Sequence, residues 1–376
     1  MLSLYIHIPF CVRKCHYCGF YSTAYSSPKA DAFLQALEIE IKGHHAELEK
    51  SALETIYIGG GTPTALSEGQ LSALISIVRR NATIAPGAEW TIEANPNSMS
   101  ERKLALVREG GVNRLSLGVQ SFSDALLQTL GRLHNSREAG EAFLCARNAG
   151  FTNIGLDLIY GVPGQSGREW TESLDRTLLL KPEHLSLYCL SLDEGSRFAA
   201  EAAAGRFSLP DDEATAGMYE TALDRLHKGG YERYEISNFS LPGYACRHNM
   251  NYWRRGEYLG LGPSAWSFQD NRRWRTVSDT DEYIRLLESG LDVTAESETI
   301  NAAQAASEFI MLGLRTREGM DLGRYEQQFG AGMRARLEEN IGPLRRSGLV
   351  LQVSGRLVLS DRGILLSNDV TARLSL

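Results

Sequence analysis

A chain of 376 residues, 43% of them hydrophobic, can bury a large core and holds two or three domains at roughly 150 residues each. Its 39 Lys and Arg against 46 Asp and Glu give a net charge of -7 with no block of like charge, which argues against a nucleic-acid partner. No apolar run approaches the ~20 residues of a membrane span.

Leu2 to Ile8 alternates as a strand and lacks the basic segment and small-residue cleavage site of a secretory signal. Cys11, Cys15 and Cys18 crowd one loop, whereas Cys145, Cys189 and Cys246 are scattered singly, a pattern that fits a reducing, cytoplasmic setting better than a disulfide framework.

Six β-rich runs follow one another up to about residue 192: Leu2 to Ile8, Thr55 to Ile58, Trp90 to Ala94, Arg114 to Gly118, Asn153 to Ile159 and His184 to Leu190. Segments of helical period separate them, such as Ala32, Leu34, Leu37, Glu38 and Ile41, or Leu71, Leu74, Ile75 and Val78, the latter opened by Ser67 as N-cap. Strand and crossover helix in alternation predict an α/β fold with a parallel sheet, either doubly wound or rolled into a barrel.

The unusual residues all follow the strands' C-terminal ends: the cysteines, then Gly59-Gly60-Gly61-Thr62-Pro63, Glu93-Ala94-Asn95-Pro96, Gln120-Ser121-Phe122, and Asp157 with Gly161 to Gly164. That face is where parallel α/β folds place their sites.

Near Gly205 to Pro210 the repeat stops. A helix is predicted from Asp211 to Lys228, then a strand from Tyr231 to Ile236, an aromatic tract from Tyr244 to Phe268, and a helix near Asp281 to Leu287. From about Thr299, helices precede two apolar runs, Leu349 to Val353 and Leu357 to Leu359, around Ser354-Gly355, which predicts a winged-helix-like unit. Ten Arg against eight Asp or Glu from Ser307 onward are too even to argue for DNA, so this unit reads as a packing or lid domain. The expected division is 1–205, 206–298 and 299–376.

Three thiolates at this spacing can converge on one centre, either zinc, with His16 or His7 as fourth ligand, or an iron-sulfur cluster with an open corner. The cysteines, with Tyr17 between the last two, match the CxxxCxxC signature, and here the chain resembles radical S-adenosylmethionine (SAM) proteins. The resemblance implies a partial (β/α)6 barrel in which Cys11, Cys15 and Cys18 hold a 4Fe-4S cluster. It further implies that the cluster's unique iron is chelated by the amino and carboxylate groups of SAM, and that an electron from the cluster cleaves the sulfonium to a 5'-deoxyadenosyl radical.

On Tyr5 to Phe10, Gly59 to Thr64, Glu93 to Pro96, Gly118 to Phe122, Arg132 and Asp157 the chain is similar to the oxygen-independent coproporphyrinogen III oxidases and their relatives. This implies SAM-binding roles for Tyr5, Tyr17, Gly60, Gly61, Thr62, Glu93, Gln120, Arg132 and Asp157. Taken singly, Glu93 is a solvated or salt-bridged carboxylate, and Arg132 with Asp157 an ion pair.

Phe20 stands where the oxidases carry a further cysteine, which resembles the HemW-type heme chaperones. His248-Asn249-Met250-Asn251-Tyr252-Trp253 matches their HNxxYW string, implying His248 as heme ligand. Read alone it is a buried core histidine. Trp266 replaces a histidine common in relatives, nothing marks Cys246 as a ligand, and Cys145 and Cys189 read as core packing.

The function implied is heme binding and transfer to recipient hemoproteins, respiratory and membrane-bound ones included, with a reductant as further partner. Transient membrane association and a homodimer are compatible with it. The alternative is oxidative decarboxylation of coproporphyrinogen III propionates.

Overall fold

In the computed structural model, which describes residues 2–375, all six predicted strands are present: Leu2–Ile8 (β1), Leu53–Gly60 (β2), Ile84–Ala94 (β3), Arg114–Gln120 (β4), Ile154–Tyr160 (β5) and His184–Cys189 (β6). They pair in parallel and in chain order. The crossover helices begin where side chains cap them. Ser67 accepts from the Gln70 N–H while Gln70 Oε1 accepts from the Ser67 N–H, a reciprocal box at the start of Glu68–Asn81.

Alternation along the strands separates two environments. Leu4, Ile6 and Ile8, Ile56 and Ile58, Trp90 and Ile92, and Leu115, Leu117 and Val119 are buried in the main core with Phe33, Leu37, Leu71 and Leu74 of the helices. The intervening residues are polar and face the concave side, where Ser3 meets Thr55, Tyr57 meets Glu93, and Ser116 meets Asp157. The strand ends curl together: in the loop after β1, the His16 N–H donates to Leu130 O at 3.1 Å and Arg13 Nη2 to Gly131 O at 2.7 Å, both carbonyls lying beyond β4. The result is a partial barrel with a polar lining.

Residues 232–299 extend this sheet at both edges. Tyr258–Leu261 pairs in parallel with β1 and leads into antiparallel Trp266–Gln269, Arg272–Thr276 and Thr294–Thr299. Asn238–Ser240 and Glu232–Arg233 add to β6. The strand expected over Tyr231 to Ile236 shrinks to Glu232–Arg233 because the chain turns to bury Glu235, which receives Arg315 Nε at 2.8 Å. The helix predicted from Asp211 runs over Asp212–Lys228, with Asp211 as its cap.

At the C-terminal end, helices Ala302–Arg315, Leu322–Phe329 and Ala331–Arg346 pack with a sheet of Met320–Asp321, Arg356–Leu359 and Val350–Val353 in a winged-helix arrangement. Ser354 and Gly355 turn the hairpin, both at positive φ. Among the described residues no helix is long and apolar enough to cross a membrane.

Glu40 ties the first crossover helix to the added strands. Its buried carboxyl accepts from Tyr283 Oη at 2.5 Å and from the Gly262 N–H at 2.9 Å. Burial pushes its pKa up to about 7, so the folded chain holds this proton more tightly than the unfolded one. The stabilisation from that proton is full below the unfolded carboxylate range and is lost as pH rises through about 7. Glu40→Gln should remove this slope, and denaturant unfolding at pH 5 and pH 8 should show the variant gaining up to about 3 kcal/mol on the parent between the two.

Candidate functional site

The barrel mouth is built by the loops that follow β1 to β5. Cys11, Cys15 and Cys18 are free and half-buried in the first of them. Thr62 Oγ1 lies 3.5 Å from Cys11 Sγ, and Arg132 Nη1 donates to Cys15 Sγ at 3.4 Å. Burial pushes the Cys18 thiol pKa up. Tyr17 packs against Leu126, Leu130 and Ile159, which anchors the middle of the loop.

The histidines considered as a fourth ligand are occupied elsewhere. His7 bonds Tyr5 Oη through Nδ1 and Tyr21 O through Nε2, while His16 bonds Thr129 O and Arg197.

The glycine loop requires glycine for two separate reasons. At Gly60 φ is +102°, and a Cβ would lie 2.6 Å from the His7 ring; at Gly61 a Cβ would lie 2.7 Å from Phe10 O. The Gly61 and Thr62 N–H groups donate to Ile8 O and Phe10 O, stitching this loop to the cysteine loop.

Glu93 stands beneath them, accepting from Tyr57 Oη at 2.8 Å and from the Gly60 N–H at 3.1 Å. It is therefore neither the solvated nor the salt-bridged carboxylate that a lone strand-end acid suggests. Burial, reinforced by nearby Asp157, raises its pKa to about 7.

Arg132 and Asp157 do not pair with each other. Arg132 Nη2 donates to Asn95 Oδ1 at 2.6 Å and Gly118 O at 2.7 Å, and Asp157 accepts from Ser116 Oγ at 3.2 Å. Asn95, whose Nδ2 also donates to Thr62 Oγ1 at 3.0 Å, is a connector that pattern reading passed over; the Asn-Pro step at a strand end was its signal. Gln120 sits at φ 67°, a left-handed conformation unusual for a side-chain-bearing residue and typical of functional positions.

Two buried polar atoms at this mouth lack partners, Gln120 Oε1 and Arg132 Nε. Buried polar atoms are normally satisfied, so a polar ligand at the mouth answers both. Among the described residues no three His, Cys, Asp or Glu side chains converge on a single metal-ion position. A cubane needs no such convergence, since each thiolate binds a different iron. The donor set, the glycine cradle and the two orphaned atoms fit a cluster with a small polar ligand beside it.

At the opposite end of the barrel sits helix Arg247–Trp253, which carries the HNxxYW string. Glu89 of β3 seats it: the carboxylate accepts the Arg247 N–H at 3.0 Å and the His248 N–H at 3.1 Å, supplying the N-terminal acceptor that Cys246 does not. Cys246 itself is buried as a thiol, its pKa raised to about 12 by burial, with Sγ directed at Glu89.

His248 is fully enclosed, with Nδ1 at 2.7 Å from Thr55 Oγ1 and Nε2 at 2.8 Å from Tyr252 Oη. Thr55 gives its hydroxyl proton to Ser3, so the consistent tautomer is Nδ1–H, with the Nε2 lone pair accepting from Tyr252. Burial holds the ring neutral, its pKa lowered to about 3. Thr55 precedes Gly59 by four residues on β2, so the imidazole is roughly 13 Å below the mouth.

Phe20 is 68% exposed beside the cysteine loop, and Trp266 is 38% exposed with Arg275 over its ring. Cys145 is half-buried against the core as expected, but Cys189 is exposed at the end of β6, where the strand leaves the sheet.

The heme chaperone HemW of Bacillus subtilis (strain 168) is 36% identical to this chain over 98% of each. The chain belongs to the HemW family. HemW of Escherichia coli (strain K12) is 39% identical over 78% of this chain and 79% of its own. The radical SAM superfamily model matches residues 5–177 and the HemN C-terminal domain model residues 300–366. Among solved structures, the coproporphyrinogen III oxidase HemN of Escherichia coli, described as a radical SAM enzyme, superposes with a TM-score of 0.88 at 25% identity, covering 100% of this chain and 90% of that one. Radical SAM membership brings a 4Fe-4S cluster and SAM as cofactors.

Anaerobic reconstitution of the parent should give about four irons per chain. Cys11→Ser, Cys15→Ser and Cys18→Ser should each lose most of that iron, and Cys145→Ser and Cys189→Ser should keep it. Iron and sulfide assays read the difference directly.

Proposed function

We propose that this chain is a heme chaperone that binds heme and passes it to a recipient hemoprotein. The carrying observation is that a chain collinear with a heme chaperone over nearly its whole length carries its HNxxYW string on an intact helix under the barrel. Cys11, Cys15 and Cys18 hold the 4Fe-4S cluster. Gly60, Gly61 and Thr62 let SAM approach the backbone, Glu93 accepts from its hydroxyl groups, and Gln120, Arg132 and Asp157 close the polar side, with Tyr5 and Tyr17 bounding the pocket. When bound, the cluster supplies electrons for cleaving the SAM sulfonium, and a reductant must reload it. The recipients are respiratory hemoproteins, which the loaded chain meets at a membrane surface.

His248 is the iron ligand in this reading. Its imidazole is neutral, the ligating form, and the Nε2 lone pair is held only by the Tyr252 hydroxyl. Iron ligation exchanges that hydroxyl for the metal. Tyr252→Phe should then tighten heme binding about five-fold, the equivalent of one ordinary hydrogen bond at about 1 kcal/mol, and His248→Ala should weaken it. Spectroscopic titration of the reconstituted chain decides, and unchanged affinity in His248→Ala removes this histidine as the ligand.

The likeness to the HemN structure favours a second reading, oxidative decarboxylation of coproporphyrinogen III. With Phe20 in place of a further cysteine, we expect no protoporphyrinogen IX from coproporphyrinogen III, SAM and reductant. Its formation over many turnovers would install the enzyme reading instead.

A further inference from the structure

The cysteine loop has an outer surface as well as a barrel side. Val12, Arg13 and Lys14 span two of its sulfurs, those of Cys11 and Cys15, and all three are exposed, Val12 at 62%. Arg13 Nη2 donates to Gly131 O at 2.7 Å and to Arg132 O at 2.9 Å. That contact brings the loop after β4 alongside, and with it Leu133, which is 46% exposed. Two exposed aliphatic side chains thus flank two cations on the outside of the loop.

The charge of this face is one-sided. Residues 9–23 hold Arg13 and Lys14 and no acid, and residues 128–137 hold Arg132 and Arg137 and no acid, in a chain of net charge -7. Arg13 spends its hydrogen bonds on neutral carbonyls, and neither it nor Lys14 has an ion pair among the described residues. Lys14 stands close enough to Cys18 for its charge to act on that sulfur. Of the other charges nearby, Arg137 is answered by Glu141 and Arg197 by Glu201, while Asp193 packs on Gly19 at the far end of the loop, with Glu194 next to it in sequence. The surface is positive at the Lys14 end and negative at the Asp193 end.

We propose that Val12, Arg13, Lys14 and Leu133 dock the one-electron carrier that reloads the cluster, a small acidic protein bearing a flavin or an iron-sulfur centre. The reduced carrier gives up one electron and the oxidised cluster gains it; no atom is transferred. Thr62 and Arg132 occupy the barrel side of the Cys11 and Cys15 sulfurs, which leaves the outer side to the donor. Opposite charge steers such a carrier to the Lys14 end, and the acids at the Asp193 end repel it and fix its orientation. Val12 and Leu133 supply a small apolar centre, in keeping with redox encounters that bury less than about 1,200 Å² and part quickly. The inference needs the cluster and is independent of the heme reading.

The test uses the full reconstituted chain, with flavodoxin as the acidic carrier and photoreduced deazariboflavin as a small reductant without an acidic surface. Calorimetry with oxidised flavodoxin reads the affinity of the complex, and the loss of cluster absorbance with reduced flavodoxin reads the electron. Lys14→Glu should weaken the complex and slow reduction by flavodoxin about ten-fold at ~0.01 M ionic strength, closing to about two-fold at ~0.5 M as exposed charges are screened. Leu133→Ser, outside the cluster loop, should weaken the complex about three-fold at either salt concentration. Deazariboflavin should reduce both variants at the parent's rate. Lys50→Glu, the same change of charge on the helix His45–Lys50 that precedes β2, should behave as the parent. Parent-like affinity and reduction in Lys14→Glu overturn the proposal, as does an equal loss in Lys50→Glu or a matching loss with deazariboflavin in both Lys14→Glu and Leu133→Ser. If Lys14→Glu spares flavodoxin and weakens hemin instead, the face belongs to the cargo and the carrier reading falls.

Discussion

A barrel with a polar lining must satisfy its own hydrogen bonds, because an unpaired buried polar group costs about 1–3 kcal/mol. This constraint organises the molecule. Ser3, Thr55, Tyr57, Glu93, Ser116 and Asp157 project from neighbouring strands and find partners only if the strands keep register and curvature. Helix Arg247–Trp253 belongs to the same network: His248 completes Thr55, and Glu89 completes the helix. The plug and the barrel wall are therefore one polar structure rather than a lid resting on a sheet.

At the other end, Arg132 does what no single loop does. Its guanidinium reaches the Cys15 sulfur, the Asn95 amide and the Gly118 carbonyl, and Asn95 continues to Thr62 beside Cys11. The loops after β1, β2, β3 and β4 are fixed to one another by this short chain of contacts. The side chain that ties these loops together thus belongs to a different strand's loop from the cysteine it contacts.

Much of this was legible in the residues. The strand and helix alternation predicted a parallel sheet and left its order open between a doubly wound sheet and a barrel, and the odd residues expected after strand ends do gather on one face. Alternation misleads in one respect: a polar every-other position ordinarily means a solvated face, and here Ser3, Thr55 and Thr91 are buried inside the barrel. Curvature decides this, and curvature has no period. Arg132 and Asp157 looked like an ion pair because opposite charges invite pairing, but the strand geometry gives each a closer partner. Cys189 looked like core and is exposed, because a strand's last residue loses its cover where the chain departs. Glu89 carries no motif of its own, because its partners are backbone amides far away in sequence, and Asn95 acts through the side chains of two other loops.

Glu89 has a consequence for how defects in such a protein are read. It holds the first amides of a helix that begins 158 positions later, yet lies outside both the cluster loop and the HNxxYW string. Loss of its carboxylate would strip the acceptor from the first amides of the helix that carries His248 while leaving the imidazole itself unchanged. A genetic map of cargo-handling failures would therefore mark a wall residue of the barrel as strongly as the imidazole itself, and the cause would be lost posture rather than lost chemistry.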